Sequence, residues 1–304
     1  MAGTEVRVAA VDIGTNSTRL LIGDVVEGGL TEITRRVVVT GLGKGVDADR
    51  ALGEEGIGRT VEVLASYREN IEEAGVERTR AVATSATRDA GNSAVFLDRA
   101  AAALGSRPDV VDGATEARLG FRGARSGIDG PAPYLMIDPG GGSTEFVFGI
   151  DVPLSVHSID IGSVRLTERA LPDRPADQAA VLAAAGMADA VLAAVELPGV
   201  AGTVIGVGGT YTSLAAIVLG LEAYDRSRVH GSVLTLDDLG RMVHLLAGLT
   251  VTETAAIPSL DPARAGVILG GAVVAEAALR RSGREEIVVS EMDILDGIAL
   301  SLGG

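Results

Sequence analysis

Apolar positions recur with two different periods along the chain, and the alternation between them sets out the elements. Runs rich in β-branched residues at 5–13, 17–26 and 30–40, punctuated by Asp12-Ile-Gly-Thr-Asn16 and Glu27-Gly-Gly29, predict three strands joined by short turns in an antiparallel meander. Helical spacing at 53–74, a strand at 79–84, a helix at 92–104, a strand near Val110 and a helix at 114–124 complete a βββαβαβα order. The pattern then breaks in Ser126-Gly-Ile-Asp-Gly-Pro-Ala-Pro133, the best candidate for a boundary. A second meander follows at 134–138, 143–148 and 152–159, with helices at 163–170 and 176–195, a strand at 203–206 and a helix at 210–219. The remainder is mainly helical, at 236–247, 262–281 and 294–302, with one strand at 286–289. The expected division is an N-terminal domain over 1–128 and a C-terminal domain over 129–304, with the last helix packing back on the first domain.

The two halves share local sequence as well as order. Val11-Asp-Ile-Gly-Thr-Asn-Ser-Thr-Arg19 aligns with Ile137-Asp-Pro-Gly-Gly-Gly-Ser-Thr-Glu145, each in a strand-turn-strand unit, and an internal duplication is the natural reading. A strand ending in Asp-x-Gly, followed by small hydroxyl or amide residues, places a carboxylate and free backbone N–H groups at the mouth of a sheet. Such a turn can cradle phosphate while its carboxylate reaches a metal, although one such turn alone is an ordinary hairpin more often than a site. Two on duplicated domains would face each other across a cleft. A dinucleotide-binding reading fails because the glycines lead into a strand. A Walker A loop fails because Lys44 is followed by Gly45 and position 38 is Val38.

Composition narrows the chemistry. With 304 residues, 47% hydrophobic and 22% charged, the chain can bury sizeable cores. Its 41 acidic against 26 basic residues give a formal charge of -15, which argues against sequence-independent nucleic-acid binding and against a polybasic membrane anchor. Any anionic ligand must be held by locally placed groups. The absence of cysteine excludes disulfides, thiolate zinc sites and a cysteine nucleophile, and His157, His230 and His244 have no metal-ligand spacing, with His230 in its glycine-flanked turn the one worth testing. Lys44 is the only lysine, so cationic chemistry falls to arginine. No leader pattern and no stretch of roughly 18 apolar residues is seen, so the expectation is a soluble cytoplasmic protein.

Asp12-Ile-Gly-Thr-Asn-Ser-Thr-Arg-Leu-Leu-Ile22, Gly41-Leu-Gly-Lys-Gly-Val-Asp47, Ala83-Thr-Ser-Ala-Thr-Arg-Asp-Ala90, Thr115-Glu-Ala-Arg-Leu119 and Asp138-Pro-Gly-Gly-Gly-Ser-Thr-Glu145 occur in one order. Together with Gly206-Val-Gly-Gly-Thr210, His230-Gly231, Arg264-Ala-Gly-Val-Ile268 and Ser290-Glu-Met-Asp-Ile-Leu-Asp-Gly297, they make the chain resemble the exopolyphosphatase and guanosine pentaphosphate phosphohydrolase (Ppx/GppA) family over nearly its whole length. The resemblance implies an α/β fold of two duplicated actin-like (ribonuclease H-like, ASKHA superfamily) domains around a central cleft. It also implies Mg²⁺, or Mn²⁺ in its place, as cofactor, and release of terminal phosphate from linear polyphosphate. Guanosine pentaphosphate is the alternative substrate, an ATP-dependent actin-like assembly protein the more distant reading, and a homodimer is compatible with either. Long family members carry a further helical module resembling an HD phosphohydrolase; this chain has no His-Asp pair and looks like a short, two-domain form. Pro139 stands where the family usually has an aliphatic residue.

The resemblance carries roles onto particular residues. Glu116, in the first turn of a helix, matches the catalytic base, where otherwise it would be an acidic residue favoured by the helix dipole. Asp138 matches the Mg²⁺ carboxylate and Asp12 mirrors it; a turn aspartate bonding its own backbone is the plain alternative for each. Glu145 would orient water or metal, or else be a strand-edge carboxylate facing solvent. Arg88 would bind phosphate in a forked pair, with Asn16, Ser17, Gly140, Gly141, Gly142 and Ser143 supplying the two loops. Arg19 and Arg264 are weaker candidates for contacts farther along the substrate, against surface salt bridges. Gly162 and Ser163 open a helix without a capping box, so their donors would face an anion, against simple capping by Ser163. Gly208 and Gly209 stand at a helix start that would contact substrate, or serve only tight strand-helix packing.

Overall fold

A computed structural model describes residues 5–27 and 29–303; Gly28, in the middle of the expected 27–29 turn, lies outside them. The chain divides into two compact units, the first made of the described residues up to Gly123 together with those from Asp293 on, the second of 124–292.

The first unit contains β1 (Val6–Ile13), β2 (Ser17–Val26), β3 (Gly29–Val39), α1 (Val46–Asp49), α2 (Glu54–Glu73), β4 (Arg78–Ala83), α3 (Ser85–Asp89), α4 (Ser93–Leu104), β5 (Asp109–Val110) and most of α5 (Gly113–Gly127). Its sheet has the order β3-β2-β1-β4-β5, the first three strands antiparallel and β1, β4 and β5 parallel. In the second unit β6 (Tyr134–Pro139), β7 (Thr144–Gly149) and β8 (Pro153–Ile159) lead to α6 (Ser163–Ala170), α7 (Gln178–Leu192), β9 (Thr203–Gly206), α8 (Gly208–Val218), α9 (Arg226–Val229), β10 (Val233–Thr235), α10 (Leu236–Ala247), α11 (Val251–Ala255), α12 (Ile268–Arg281) and β11 (Glu286–Val289). Its sheet, β10-β11-β9-β6-β7-β8, repeats the same antiparallel meander beside parallel strands. The last helix, α13 (Ile294–Leu302), belongs to the first unit. This duplicated topology is the α/β, actin-like arrangement of two ribonuclease H-like units.

Period-2 alternation explains the first sheet. Ala9, Val11, Ile13, Leu20 and Ile22 face a core completed by Ile57, Leu64 and Tyr67 of α2 and Phe96 and Leu97 of α4. Val8, Ala10, Leu21 and Val25 face the other way, onto Leu119 of α5 and Ile294, Leu295, Ile298 and Ala299 of α13. A sheet buried on both faces needs continuous apolar strands, which β1 and β2 supply. The carbonyl ends of α13 are met by arginine, Arg122 donating to Leu300 O at 3.0 Å and Arg78 to Leu302 O at 2.7 Å.

Several elements differ from the sequence expectation. The boundary falls after Gly123, inside α5, rather than after 128; the last helix groups with the first unit. The reason is packing: α5 continues unbroken to Gly127, and beyond Gly123 its residues engage the second unit, Arg125 over the Tyr134 ring at 4.4 Å. The glycine- and proline-rich run is the loop between α5 and β6. The expected helix over 262–281 begins at Ile268, after a 3₁₀ turn at Pro262–Arg264. Strand β10 and helices α1, α3, α9 and α11, each three to five residues long, show no readable periodicity because they are too short to repeat it.

Helices α5 and α13 cross at glycines. A Cβ on Gly123 would collide with Asp293 O, and one on Gly297 with Leu119 O. Gly123→Ala and Gly297→Ala are each expected to destabilise the protein by about 1–3 kcal/mol or more, since backbone must move. Gly58→Ala in α2, with nothing within 4 Å of the new methyl, should instead stabilise by about 0.5–1 kcal/mol. Denaturant unfolding of the three variants checks both signs.

Candidate active site

The two Asp-x-Gly turns have the same backbone. Gly14 N–H donates to Ser17 O at 2.9 Å, and Gly140 N–H to Ser143 O at 2.9 Å. Each aspartate stands directly opposite a charged residue on the next strand, Asp12 against Arg19 and Asp138 against Glu145. In the first turn, Asn16 O accepts from Thr40 and Gly41 N–H, and Thr15 O from Gly43 N–H at 2.8 Å. The Thr15 hydroxyl meets that of Ser85, the first residue of α3, at 2.8 Å. Asn16 and Ser17 themselves are half-buried.

In the second turn, α6 supplies the support. Ser163 N–H donates to Gly140 O at 2.8 Å, and the N–H groups of Val164 and Arg165 donate to Gly141 O at 2.9 and 3.1 Å. Of the donors expected to face an anion, the Ser163 N–H is instead taken by a carbonyl of the loop. Gly162 is required there because a Cβ would lie 2.6 Å from Gly141 C and O. Helix α6 holds the shape of 140–143.

Asp12 is buried and lies in a chain of charges. Arg19 donates to its Oδ2 through Nε at 2.9 Å and Nη2 at 2.6 Å, and through Nη1 to Asp293. Arg35 donates to Asp296 at 2.6 Å and to Glu32 at 2.9 Å. Burial pushes the Asp12 carboxyl above its usual range, and Arg19 opposes this without cancelling it. For Asp293 burial acts in the same direction, but Arg19, Arg35 and the Leu295 N–H outweigh it and hold the carboxyl low. Asp296 is pushed up, by burial first. Arg19, expected to reach along a substrate, is thus committed to two carboxylates. Asp293, Arg35 and Asp296 carried no role in the sequence reading; the one local signal was the acid-x-x-acid spacing of 293–296, which forms a capping box at the start of α13.

Arg88, on α3, and Glu116, in the first turn of α5, are brought together. Arg88 Nη1 lies 3.4 Å from Glu116 Oε2 and donates to Val111 O at 3.0 Å. Both remain partly exposed, so a cation suited to phosphate oxygens and a carboxylate able to take a proton stand side by side.

In the second unit Asp138 lies over the start of α8. Gly208 adopts φ 79°, and a Cβ there would collide with Asp138 Oδ1. Thr210 donates to Pro139 O at 2.9 Å, and the charge of Asp138 adds to burial in raising the Tyr211 phenol. The Arg264 guanidinium lies against Gly209, so Asp138, Gly208, Gly209 and Arg264 form one group. Glu145 is 2% exposed, and its Oε1 accepts from Ser143 and Ser158, each at 2.8 Å, which removes the solvent-facing alternative. Like charges directly opposite on adjacent strands are unfavourable, whereas the equivalent pair in the first unit is Asp–Arg. Among the described residues there is no cluster of three or more His, Cys, Asp or Glu that could hold a metal.

His157 lies between the Ser155 hydroxyl and Glu196 O, and His244 is exposed on α10. His230 accepts from Glu291 N–H on Nδ1 at 3.2 Å and meets Gly127 O with Nε2 at 3.0 Å, contacts that suit the neutral ring protonated on Nε2.

The chain is an α/β protein of two units that share a sheet topology, each with an Asp-x-Gly turn. A model of the Ppx/GppA phosphatase family matches residues 21–303, and the chain belongs to that family, a family of phosphoanhydride hydrolases. It is 42% identical over 316 residues to Exopolyphosphatase 2 of Mycobacterium tuberculosis, covering 98% of this chain and 99% of the relative. Among solved structures it resembles an exopolyphosphatase-like protein (37% identity, TM-score 0.92, 98% and 97% of the two chains) and the PPX-GPPA enzyme of Aquifex aeolicus (32%, 0.83, 98% and 100%). It is also 34% identical over 167 residues to the guanosine-5′-triphosphate,3′-diphosphate pyrophosphatase of Photobacterium profundum, over 55% of this chain and 34% of that protein. Among the described residues no helix is long and apolar enough to cross a membrane.

Because Gly208 lies beneath Asp138, Gly208→Ala should displace the carboxylate and lower phosphatase turnover tenfold or more in a folded protein. Its φ adds about 1–2 kcal/mol of strain. Steady-state assays beside circular dichroism separate the two effects.

Proposed function

We propose that this protein is an exopolyphosphatase that releases terminal orthophosphate from linear inorganic polyphosphate by attack of water, with Mg²⁺, or Mn²⁺ in its place, and that it works in the cytoplasm. The observation that carries the reading is the Arg88–Glu116 pair, 3.4 Å apart and open to solvent, in a chain 42% identical over nearly its full length to an exopolyphosphatase. In this reading Arg88 holds oxygens of the terminal phosphate, and Glu116 takes the proton of the attacking water. Within the second unit the 140–143 turn and the group at Gly208, Gly209 and Arg264 are the phosphate-binding elements of this reading, and within the first the Asn16–Ser17 turn carries Asp12.

The donor set suits a hard divalent cation. Asp12 Oδ1 is buried without a hydrogen-bond partner, and Asp138 and Glu145 stand in direct cross-strand register. Mg²⁺ is bound by one or two carboxylates together with water and substrate phosphate, so a cluster of three acidic ligands is not required. In the second unit Asp138 would hold it, and Glu145, fixed by Ser143 and Ser158, would orient water beside it; Asp12 is the corresponding carboxylate of the first unit. The cation's contribution when bound is to neutralise charge that builds on the phosphate oxygens.

Guanosine pentaphosphate is the second reading, favoured by the 34% identity to the pyrophosphatase of Photobacterium profundum. Phosphate release from long polyphosphate, short polyphosphate, guanosine pentaphosphate and ATP, each at equal terminal-phosphate concentration, decides between them. Preference for polyphosphate is expected; preference for guanosine pentaphosphate would replace the first reading with the second, and preference for ATP would discard both.

Two outcomes test the residues. Glu116→Gln keeps shape and removes the proton acceptor, so turnover should fall about 10²- to 10⁴-fold with KM little changed. Wild-type turnover in this variant would take Glu116 out of the mechanism. Asp138→Asn should raise the Mg²⁺ concentration needed for half-maximal activity, and EDTA should stop the wild-type enzyme. Full activity in exhaustive chelator would contradict the metal assignment.

A further inference from the structure

Arg19 holds Asp12 in an unusual way. A guanidinium facing a carboxylate ordinarily forks, one N–H to each oxygen, which is the stronger arrangement. Here Nε and Nη2 both donate to Oδ2, at 2.9 and 2.6 Å, while Nη1 turns away to Asp293. Oδ1 of Asp12 is left buried and without a hydrogen-bond partner. A buried carboxylate oxygen in that state costs free energy unless something else approaches it.

What draws Nη1 away is itself anchored independently of Arg19. Asp293 is the N-cap of α13: its Oδ1 accepts from Leu295 N–H at 2.9 Å, and its own N–H donates to Asp296 Oδ2 at 2.8 Å. Arg35 stands behind both, 3.9 Å from Asp293 Oδ1 and 2.6 Å from Asp296 Oδ1, and Glu32 holds Arg35 in turn at 2.9 Å. The start of α13 therefore sets where Asp293 lies, and Asp293 sets how Arg19 meets Asp12.

We propose that Asp293 is a positioning residue for the reaction: by holding Nη1 of Arg19 it stops the guanidinium closing on both oxygens of Asp12, and so keeps Oδ1 available to a divalent cation. The inference rests on the reading of Asp12 as a metal-facing carboxylate and assigns a role to a residue that touches neither substrate nor metal. Released from Asp293, Arg19 can rotate into the ordinary fork and occupy Oδ1.

The test compares Asp293→Asn, Asp12→Asn and the double variant. Asparagine remains a good N-cap, so α13 keeps its start while the negative charge that holds Arg19 Nη1 is lost. Asp293→Ser, a second uncharged N-cap, must give the same result. Two quantities are read: the Mg²⁺ concentration for half-maximal polyphosphate hydrolysis, and Mn²⁺ binding followed by electron paramagnetic resonance of the free ion, with inorganic phosphate present and no turnover. Asp293→Asn should weaken both by roughly 10-fold or more, the range found when partners behind a ligand are removed, with KM for polyphosphate little changed. In the Asp12→Asn background the same substitution should have no further effect, because it acts only through Asp12. Additive effects, or an Asp293→Asn protein that changes melting temperature alone, would overturn the positioning role while leaving Asp12 in place. An Asp12→Asn protein with wild-type metal dependence, or a wild type that binds no Mn²⁺, would remove the reading of Asp12 and the proposal with it.

Discussion

The first unit depends on the return of α13 to a sheet whose two faces are both apolar. Helices α2 and α4 cover one face; Val8, Ala10, Leu21 and Val25 on the other are covered by Ile294, Leu295, Ile298 and Ala299. A β-sheet with one apolar face in water would lose the burial that drives its formation, at about 25 cal/mol for each Å² left wet. The last described residues of the chain are therefore part of the core of the first. The crossing with α5 is close enough to need glycine at 123 and 297. Because the helix starts at Asp293, the contact that closes the sheet also delivers a carboxylate to Arg19.

The two turns share an Asp-x-Gly frame, and the residue in register with the aspartate makes them electrostatic opposites. Opposite Asp12 stands Arg19, an ion pair in direct cross-strand register; opposite Asp138 stands Glu145, a like-charge pair. The first arrangement stabilises a sheet and the second strains it. Here Ser143 and Ser158 fix Glu145, while Gly208 leaves room for Asp138.

Glycine-rich turns are easily read as rows of open N–H groups. In this protein much of that donor capacity serves the turns themselves: Gly14 and Gly140 bond within their own loops, Gly41 and Gly43 brace the first, and the start of α6 braces the second. The shape of the loops is thereby held by backbone hydrogen bonds.

The sequence by itself determined the long elements, the duplication and the family, because each is written in local periodicity or in a contiguous motif, and the same motifs single out Asp12, Asp138, Glu116 and Arg88 as candidates. The proximity of Arg88 and Glu116 was implicit in two motifs but became a distance only when β4, α3 and α5 were packed. Tertiary structure alone decided the rest. The division inside α5, the use of α6 donors by the 140–141 carbonyls, and the charge chain from Asp12 through Arg19 to Asp293 join residues up to 274 positions apart. No local pattern encodes such a pairing: an arginine in a strand and an aspartate at a helix start look the same whether or not burial of two apolar faces brings them together.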